Sequence, residues 1–292
     1  MAPLCLPPRP VGNGTGVRVF LPGTCDTHMH VFGPAERYPL VPARNYTPHP
    51  VTFADYRPVM AALGIDRAVL VQPSVYGTEN SALLEALGAA PDALRGVVVV
   101  PPDLPDADLQ DLHRAGVRGI RVNRRNPGGL SLEHVARLGS RIAPLGWHIQ
   151  LQIEIAKAPD LVGMVERCPV PVVIDHFGFL DPRQSLRGGP FAQVLRLLEG
   201  GNLWVKLSAP YRVSLSGRPY ADLAPFVAAL ISCRPDRLLW ATDWPHTELW
   251  ADMPDDMDPA DRTIPEALPA PVRSLILVEN PARLYGFALP AR

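Results

Sequence analysis

Residues 170–176 read VPVVIDH, a short apolar run followed by an aspartate and a histidine. β-Branched side chains favour strands, and a continuous apolar run of this length is typical of a strand that is buried on both faces. Such strands occur mainly in parallel sheets that are covered by helices. The stretch therefore predicts a buried parallel strand that carries ionisable side chains at its carboxyl end.

Seven further runs of the same kind occur along the 292-residue chain. They lie at 27–32, 67–72, 96–100, 118–123, 147–153, 202–207 and 237–242. Segments with helical spacing of apolar residues separate them, for example FADYRPVMAALG and FAQVLRLLEGG. Eight strands alternating with helices predict a single (β/α)8 TIM barrel of the α/β class. A doubly wound sheet is disfavoured, because no GxGxxG motif follows an early strand.

Turn and cap residues divide the chain into an arm and one domain. Residues 1–22 are rich in Pro and Gly and are expected to form an N-terminal arm or a poorly ordered end, before a barrel over residues 23–292. Thr52 and Asp55 form a capping-box pattern. Four glycines are placed to end helices: Gly64, Gly116, Gly146 and Gly200.

Composition excludes several classes of partner. The net charge of −1 gives no basic surface for nucleic acid, and no apolar run approaches a membrane span or a secretory signal. The four cysteines lie far apart and form no CxxC pair, which disfavours a thiolate zinc site and favours a reducing cytoplasm. The expected partner is therefore a small molecule, and no feature of the sequence predicts an oligomeric state.

The first strand ends with two histidines, His28 and His30, after Asp26. Side chains two residues apart on a strand share a face, about 6.5–7 Å apart along the backbone. Both imidazoles are therefore expected to point into the barrel mouth. The HxH spacing alone is a weak signal, since two partly exposed loop imidazoles would give the same pattern.

Two other strand ends carry ionisable groups. His176 follows the sixth run, where the simpler interpretation is a core histidine bonded to a carbonyl, and Asp243 follows the eighth run, where the simpler one is a helix N-cap. A buried aspartate is rare unless it is paired or functional. Three such strand ends together favour an active site, because barrel enzymes carry their chemistry there. Asp26 and Asp175 alternate away from the adjacent histidines and are expected to support the scaffold.

The motifs DTHMH (26–30), IDHFG (174–178) and ATDWPH (241–246) resemble those of the amidohydrolase superfamily. More narrowly, the chain resembles the branch that contains 2-pyrone-4,6-dicarboxylate lactonase and related sugar lactonases. VQPSVYGTEN (71–80) and VENPARLYGF (278–287) share this resemblance, which runs from about residue 24 to 288. It implies an enzyme that hydrolyses a cyclic ester.

The resemblance also raises the question of a metal, since amidohydrolases usually hold zinc or a similar ion. His28, His30 and Asp243 offer three ligands, with His176 nearby. The strand-4 ligand of the family is replaced here by Arg121, a cation that disfavours a second cation. We therefore expect no metal cofactor, with Zn²⁺ on these four residues as the alternative. Without metal, Asp243 would act as general base on water while the three histidines polarise the lactone carbonyl.

The family's substrate-binding positions fall on polar residues of this chain. They are Tyr46, Ser74, Arg121, Gln152, Arg212 and His246, and Tyr211 adjoins Arg212 at the end of the seventh strand. Arginine forks match carboxylates, so the expected substrate is a small carboxylated lactone. A tyrosine of the pyrone lactonase falls at Gln152 here. Because an amide binds hydroxyls, a sugar-acid or other carboxylated lactone, such as a muconate type, is favoured over the pyrone dicarboxylate.

Three other functions fit the same motifs. A lactone isomerase resembling D-galactarolactone isomerase would move an acyl group between hydroxyls and form a new lactone. A metal-dependent decarboxylase or amidohydrolase would lose activity with a chelator. A ligand-binding barrel without catalysis is disfavoured by the intact His and Asp set.

Overall fold

The computed structural model describes residues 2–11, 19–127, 129–158, 160–263 and 268–289. Eight parallel strands pair in chain order around one sheet. The strands are β1 (Cys25–Met29), β2 (Arg67–Val71), β3 (Leu94–Val98), β4 (Val117–Asn123), β5 (His148–Gln152), β6 (Val172–Ile174), β7 (Leu203–Leu207) and β8 (Leu238–Trp240). Each predicted run overlaps one strand, which confirms the (β/α)8 barrel.

Contacts near the strand ends bring β8 against β1. The Thr27 hydroxyl donates to the carbonyl of Trp240 over 2.8 Å. The backbone N–H of Asp243 donates to the His28 carbonyl (3.0 Å), and that of His30 to the Trp244 carbonyl (2.8 Å). These hydrogen bonds join the ends of β1 and β8, which carry residues of the predicted site.

Helices surround the sheet and bury its outer face. They are α1 (Phe53–Leu63), α2 (Ser81–Ala89), α3 (Asp106–Arg114), α4 (Val135–Ile142), α5 (Leu161–Arg167), α6 (Gly189–Gly200), α7 (Ala224–Cys233), α8 (Ala270–Ser274) and α9 (Asn280–Tyr285), with a π-helical turn over Leu275–Glu279. A large apolar core lies between helices and strands. A second buried cluster joins strand residues such as Val69 and Trp204 to the C-terminal residues Tyr285 and Phe287.

Local signals in the sequence set the helix ends. The Thr52–Asp55 capping box is present at the start of α1, and Gly64 ends that helix in the left-handed region. The predicted end at Gly200 is wrong by one residue, because Gly200 is the last helical residue of α6 and Gly201 takes the left-handed conformation at φ 85°. Glycine tolerates that conformation, since it has no Cβ.

The N-terminal residues 2–11 contact two loops of the barrel. The N–H of Cys5 donates to the Thr47 carbonyl and that of Leu6 to the Leu249 carbonyl, both over 2.9 Å. The wider arm over residues 1–22 stays a prediction, because residues 12–18 lie outside the described residues. All four cysteines are free thiols. Within the described part of the chain, no helix is both long enough and apolar enough to cross a membrane.

Candidate active site

Four predicted residues meet at the carboxyl ends of β1, β6 and β8. The Nε2 atoms of His28, His30 and His176 lie 3.6, 3.7 and 3.5 Å from Oδ1 of Asp243. The rings of His28 and His30 share a face of β1, with centroids 4.9 Å apart. All four side chains are buried, with at most 5% exposure. The strand-end reasoning thus placed these side chains in one cluster.

The second oxygen of Asp243 is held from the opposite side. Oδ2 accepts hydrogen bonds from the Tyr211 hydroxyl (2.6 Å) and from Arg212 Nε (2.8 Å). These donors fix the carboxylate so that Oδ1 faces the imidazoles. Asp243 and His176 both have left-handed backbones, at φ 67° and 51°. Such a conformation costs about 1–3 kcal/mol per non-glycine residue and is concentrated at functional sites.

The partners of each Nδ1 decide where each imidazole carries its proton. His30 Nδ1 lies 2.7 Å from the Val71 carbonyl. Because a carbonyl only accepts, Nδ1 of His30 carries the hydrogen, and Nε2 of the neutral ring presents a lone pair to the site. His176 Nδ1 lies 2.8 Å from the Ser208 hydroxyl, a group that can donate or accept. His28 Nδ1 has both an acceptor and a donor beside it, Asp175 and Lys206.

Burial shifts the charge balance of the cluster. It lowers the pKa of His28 well below the ordinary value, lowers that of His30, and lowers the pKa of His176 to about 4. Burial alone would raise the pKa of Asp243, but Arg212 and the neighbouring histidines hold it well below its usual range. At neutral pH the site therefore contains neutral imidazoles around an ionised carboxylate.

A buried lysine that the sequence analysis did not single out lies beneath the histidines. Lys206 on β7 is fully buried. Its Nζ donates to the Thr27 carbonyl and to Gln150 Oε1, both over 2.8 Å. It also lies 3.4 Å from Oδ1 of Asp175. Burial lowers the pKa of Lys206 to about 8, so the ammonium form still predominates at pH 7.

Asp175 was expected to point away from the histidine rings, and that part of the prediction was wrong, because the side chain lies beside His28. Its Oδ1 lies 3.2 Å from His28 Nδ1. Gln150 Nε2 donates to Oδ2 over 3.1 Å, and Arg121 Nη2 lies 3.5 Å from the same oxygen. Strand β6 ends at Ile174 and His176 is left-handed, so the two-residue alternation no longer holds there. Asp26 does support the scaffold, accepting from the His28 backbone N–H (2.9 Å).

A small polar cavity opens above Asp243. It is lined by His30, Tyr46, Ser74, Arg121, Asn123, Asn126, Gln152, His176, Arg212, Asp243, Thr247 and Glu248. Five predicted substrate residues are among them: Tyr46, Ser74, Arg121, Gln152 and Arg212.

The other two predicted substrate residues support the site from behind. The Tyr211 hydroxyl is bonded to Asp243. His246 lies against that tyrosine, with Nδ1 3.3 Å from its hydroxyl and Nε2 3.1 Å from Oδ2 of Asp256. Neither side chain lines the cavity, and the substrate contacts predicted for Tyr211 and His246 stay predictions.

The guanidinium groups of Arg121 and Arg212 donate most of their hydrogen bonds to other groups of the protein. Arg121 donates from Nη1 to the Gln72 carbonyl (2.9 Å) and from Nη2 to Gln152 Oε1. Arg212 Nη2 donates to the Thr247 carbonyl over 2.6 Å. Among the described residues, Arg121 Nε has no hydrogen-bond partner. Recognition of a carboxylate by a free two-pronged fork therefore requires one of these bonds to be exchanged.

Four lining residues were missed: Asn123, Asn126, Thr247 and Glu248. Glu248 Oε1 accepts from Asn45 Nδ2 (2.7 Å) and Asn126 Nδ2 (2.8 Å), and Oε2 lies 3.8 Å from Arg212 Nη1. Asn123 is the last residue of β4, which was the available signal for it. The others lie in loops, whose paths the sequence pattern does not specify.

Comparison with known proteins identifies the family. The family model described as Amidohydrolase matches residues 25–287. The chain belongs to the amidohydrolase family.

Relatives of this amidohydrolase cover most of its length. It is 38% identical over 275 residues to a 2-pyrone-4,6-dicarboxylate hydrolase of Comamonas testosteroni, with 90% of each chain covered. It is 36% identical over 269 residues to a 4-sulfomuconolactone hydrolase of Rhizobium radiobacter, again with 90% of each covered. A D-galactarolactone isomerase of Agrobacterium fabrum is 29% identical over 278 residues, with 94% of each covered.

A solved structure supports the same assignment. The apo crystal structure of an Agrobacterium tumefaciens protein superposes on this amidohydrolase with a TM-score of 0.82 and 29% identity. The match covers 93% of this chain and 98% of that one.

The donor set of this amidohydrolase fits one divalent ion by ligand type. His28, His30 and Asp243 offer ligand atoms that all lie within 4.8 Å of one another, and so do His28, Asp175 and His176. Three N and O ligands with an open position suit a catalytic ion. A second ion is disfavoured, because two cations already lie within 3.5 Å of Asp175, namely Lys206 and Arg121.

Proposed function

We propose that this amidohydrolase hydrolyses a small carboxylated lactone of the sugar-acid type and does so without a metal cofactor. One observation carries the proposal: Oδ1 of Asp243 and Nε2 of His30, two hydrogen-bond acceptors, face each other 3.7 Å apart at the cavity floor. A water molecule that donates its two O–H groups to them directs a lone pair toward a carbonyl bound above. That arrangement selects water as the nucleophile.

Asp243 then accepts the proton as the water oxygen attacks the lactone carbonyl. Its low pKa keeps it ionised at every working pH, at some cost in basicity. The oxyanion that forms needs donors, and the unpartnered Arg121 Nε–H and any imidazole that carries hydrogen on Nε2 are available. When the ring C–O bond breaks, the leaving alkoxide takes the proton back from Asp243, which yields the hydroxy acid.

Fixed cations surround the site without a metal. Lys206 and Arg121 flank Asp175, and Arg212 contacts Asp243. An ion held by His28, His30 and Asp243 would supply Lewis-acid polarisation of the carbonyl. An ester has a better leaving group than an amide, so the hydrolysis of a lactone depends less on such help.

The cavity walls support a hydroxylated substrate. Tyr46, Ser74, Gln152 and Thr247 bring groups that donate or accept hydrogen bonds. Glu248 adds a negative charge, which disfavours a second carboxylate at that end of the substrate. Relatives named for a pyrone dicarboxylate, a sulfomuconolactone and a galactarolactone support a lactone as the substrate class.

Isomerisation is the second candidate, and the polar cavity favours it as well. A substrate hydroxyl placed between Asp243 and His30 would attack the carbonyl in place of water. The old ring C–O bond would break, and its oxygen would take the proton from Asp243. We further propose a cytoplasmic role in carbohydrate or aromatic catabolism, which rests on the separated cysteines and on the relatives' names.

The test is a screen of sugar-acid and muconate-type lactones with enzyme dialysed against chelator, compared with enzyme supplied with Zn²⁺. Proton NMR identifies the product. We expect ring-opened acid, at equal rates in both preparations. A new lactone would establish the isomerase, and a decarboxylated product or turnover only with Zn²⁺ would overturn the proposal. Binding without any turnover would favour a ligand-binding barrel.

A further inference from the structure

We propose that Lys206 is a positioning residue that holds His28 in the tautomer with hydrogen on Nε2 and thereby opposes metal binding at the site. This inference rests on the proposed lactone hydrolysis, because it assigns His28 the role of orienting the general base Asp243 in that reaction.

The hydrogen bonds of Lys206 carry the inference. An ammonium group has three hydrogens, and two of them go to the Thr27 carbonyl and Gln150 Oε1 at 2.8 Å. The third faces His28 Nδ1 at 3.3 Å with hydrogen-bond geometry. An ammonium group donates only, so Nδ1 of His28 must present its lone pair, and the hydrogen of the neutral ring lies on Nε2.

Asp175 competes for the same nitrogen. Its Oδ1 lies 3.2 Å from His28 Nδ1, slightly closer than Lys206. Hydrogen-bond geometry disfavours Asp175 as the partner, because its Oδ1 makes no hydrogen bond of acceptable geometry with any described residue. Its charge is also already balanced by two cations, Lys206 at 3.4 Å and Arg121 at 3.5 Å. Asp175 therefore stabilises the ammonium group of Lys206, and Lys206 determines the tautomer of His28.

The two histidines of the HxH motif thereby differ in role. His30 donates from Nδ1 to the Val71 carbonyl and presents a lone pair on Nε2, which suits it to accept from water. His28 presents N–H on Nε2, which is buried and has no hydrogen-bond partner among the described residues. That N–H lies 3.6 Å from Oδ1 of Asp243 and behind the cavity, which His28 does not line, so it helps to orient the general base.

The same tautomer explains why an ion is disfavoured. An ion held together with His30 and Asp243 would take a lone pair on Nε2 of His28, so the hydrogen would first have to move to Nδ1. That move breaks the bond from Lys206 and brings two hydrogens against each other. Lys206 is one of only two lysines in a chain with 26 arginines. Lys157, the other, is exposed and pairs with Glu154, so it offers a matched control.

The first test uses the unmodified enzyme. Nitrogen-15 NMR of histidine-labelled protein, with His28 assigned from the His28→Gln variant, reports which ring nitrogen carries hydrogen. We expect Nε2 of His28 to be protonated and Nδ1 not, with the opposite pattern for His30. A proton on Nδ1 of His28 would overturn the inference, whether or not the enzyme hydrolyses lactones.

The second test compares Lys206→Met with Lys157→Met. Loss of Lys206 should move the His28 hydrogen to Nδ1 and raise the affinity for Zn²⁺ by about 10–100-fold in calorimetric titration. It should also lower kcat for the chelator-treated enzyme about 100-fold while KM changes little. Lys157→Met should change none of these. Unchanged Zn²⁺ affinity in Lys206→Met would refute the inference, whereas an inactive parent enzyme with the expected tautomer would refute the proposed function alone.

Discussion

Asp175 and Asp243 are both buried carboxylates that follow a barrel strand, and both lie close to His28. Their surroundings differ. Each oxygen of Asp175 faces a permanent cation within 3.5 Å, and the side chain does not reach the cavity. Asp243 is held by cation and hydroxyl on Oδ2 alone, while Oδ1 faces imidazoles and lines the cavity.

The difference shows that two buried carboxylates at the same end of the barrel can have separate roles, one in stability and one in catalysis. A carboxylate paired on both oxygens cannot take up a proton from substrate without losing an ion pair, so it serves the fold. A carboxylate fixed on one oxygen keeps the other free and oriented, which is the requirement for a general base. Asp175 and Asp243 therefore form a matched pair for mutation.

The largest effect is expected for Asp243→Asn. Removing the base should lower kcat for lactone hydrolysis by about 10²–10⁴-fold. The fold should persist, because Arg212 keeps its bond to the Thr247 carbonyl. Steady-state kinetics on a lactone substrate, with circular dichroism as the check on folding, tests this. Activity near the parent value would refute the general-base role.

Asp175→Asn should act mainly on stability. The change leaves Lys206 and Arg121 buried beside a neutral amide, and an uncompensated buried charge costs about 3–5 kcal/mol in free energy of unfolding. Urea unfolding of this variant beside Asp243→Asn measures the contrast. Equal losses of stability in the two variants would show that the carboxylates do not differ in the way described.

The strand ends explain how much of this was predictable. His28, His30, His176 and Asp243 follow apolar strands, and parallel strands deliver such positions to one rim whatever the loops do. The role of Asp175 was missed because the prediction assumed strand alternation up to residue 176. The strand ends at Ile174, and a left-handed residue changes the direction of the side chains.

Lys206 was missed for a different reason. A lysine within an apolar strand usually keeps its charged tip in water, so NLWVKL predicts a strand and does not indicate a buried ammonium group. Its scarcity beside so many arginines was a usable signal. Glu248 and Asn126 were beyond reach, because their place in the cavity depends on loop conformation.

Arg121→Met removes a cation that contacts Asp175 and would also contact the carboxylate of the substrate. Loss of a charged hydrogen bond worth about 1.5–3 kcal/mol should raise KM for carboxylated lactones by about 10–100-fold and leave KM for neutral lactones within about threefold. Glu248→Gln is the opposing control, since it removes a negative charge from the same cavity. A similar rise for both lactone classes would assign Arg121 to the Asp175 network alone.

The smallest expected effect is that of pH on activity. Activity should hardly change over a pH range in which stability falls. Water activation needs His30 neutral and Asp243 ionised, and burial lowers the pKa of His30. His176, which also faces Asp243, should stay neutral as well. The pKa of His176 is lowered to about 4 by burial, and that of Asp243 lies well below its usual range. For chelator-treated enzyme, kcat/KM corrected for spontaneous hydrolysis should therefore change by less than about twofold from pH 7.5 to 5.5.

Stability should fall over the same interval. The unfolded chain binds protons on His176 at its ordinary pKa of about 6.5 while the folded chain does not, so the free energy of unfolding decreases as pH drops below that value, by up to about 1.4 kcal/mol per pH unit for such a histidine. The ion pairs of Asp175 stay intact, because its folded pKa lies well below the ordinary value. Urea unfolding midpoints measure the stability and kcat/KM measures the activity, each at several pH values from 7.5 to 5.5. An activity loss with a midpoint near 6.5 would mean that the imidazoles around Asp243 are solvated and titrate freely, and the contrast with the fully paired Asp175 would then fail.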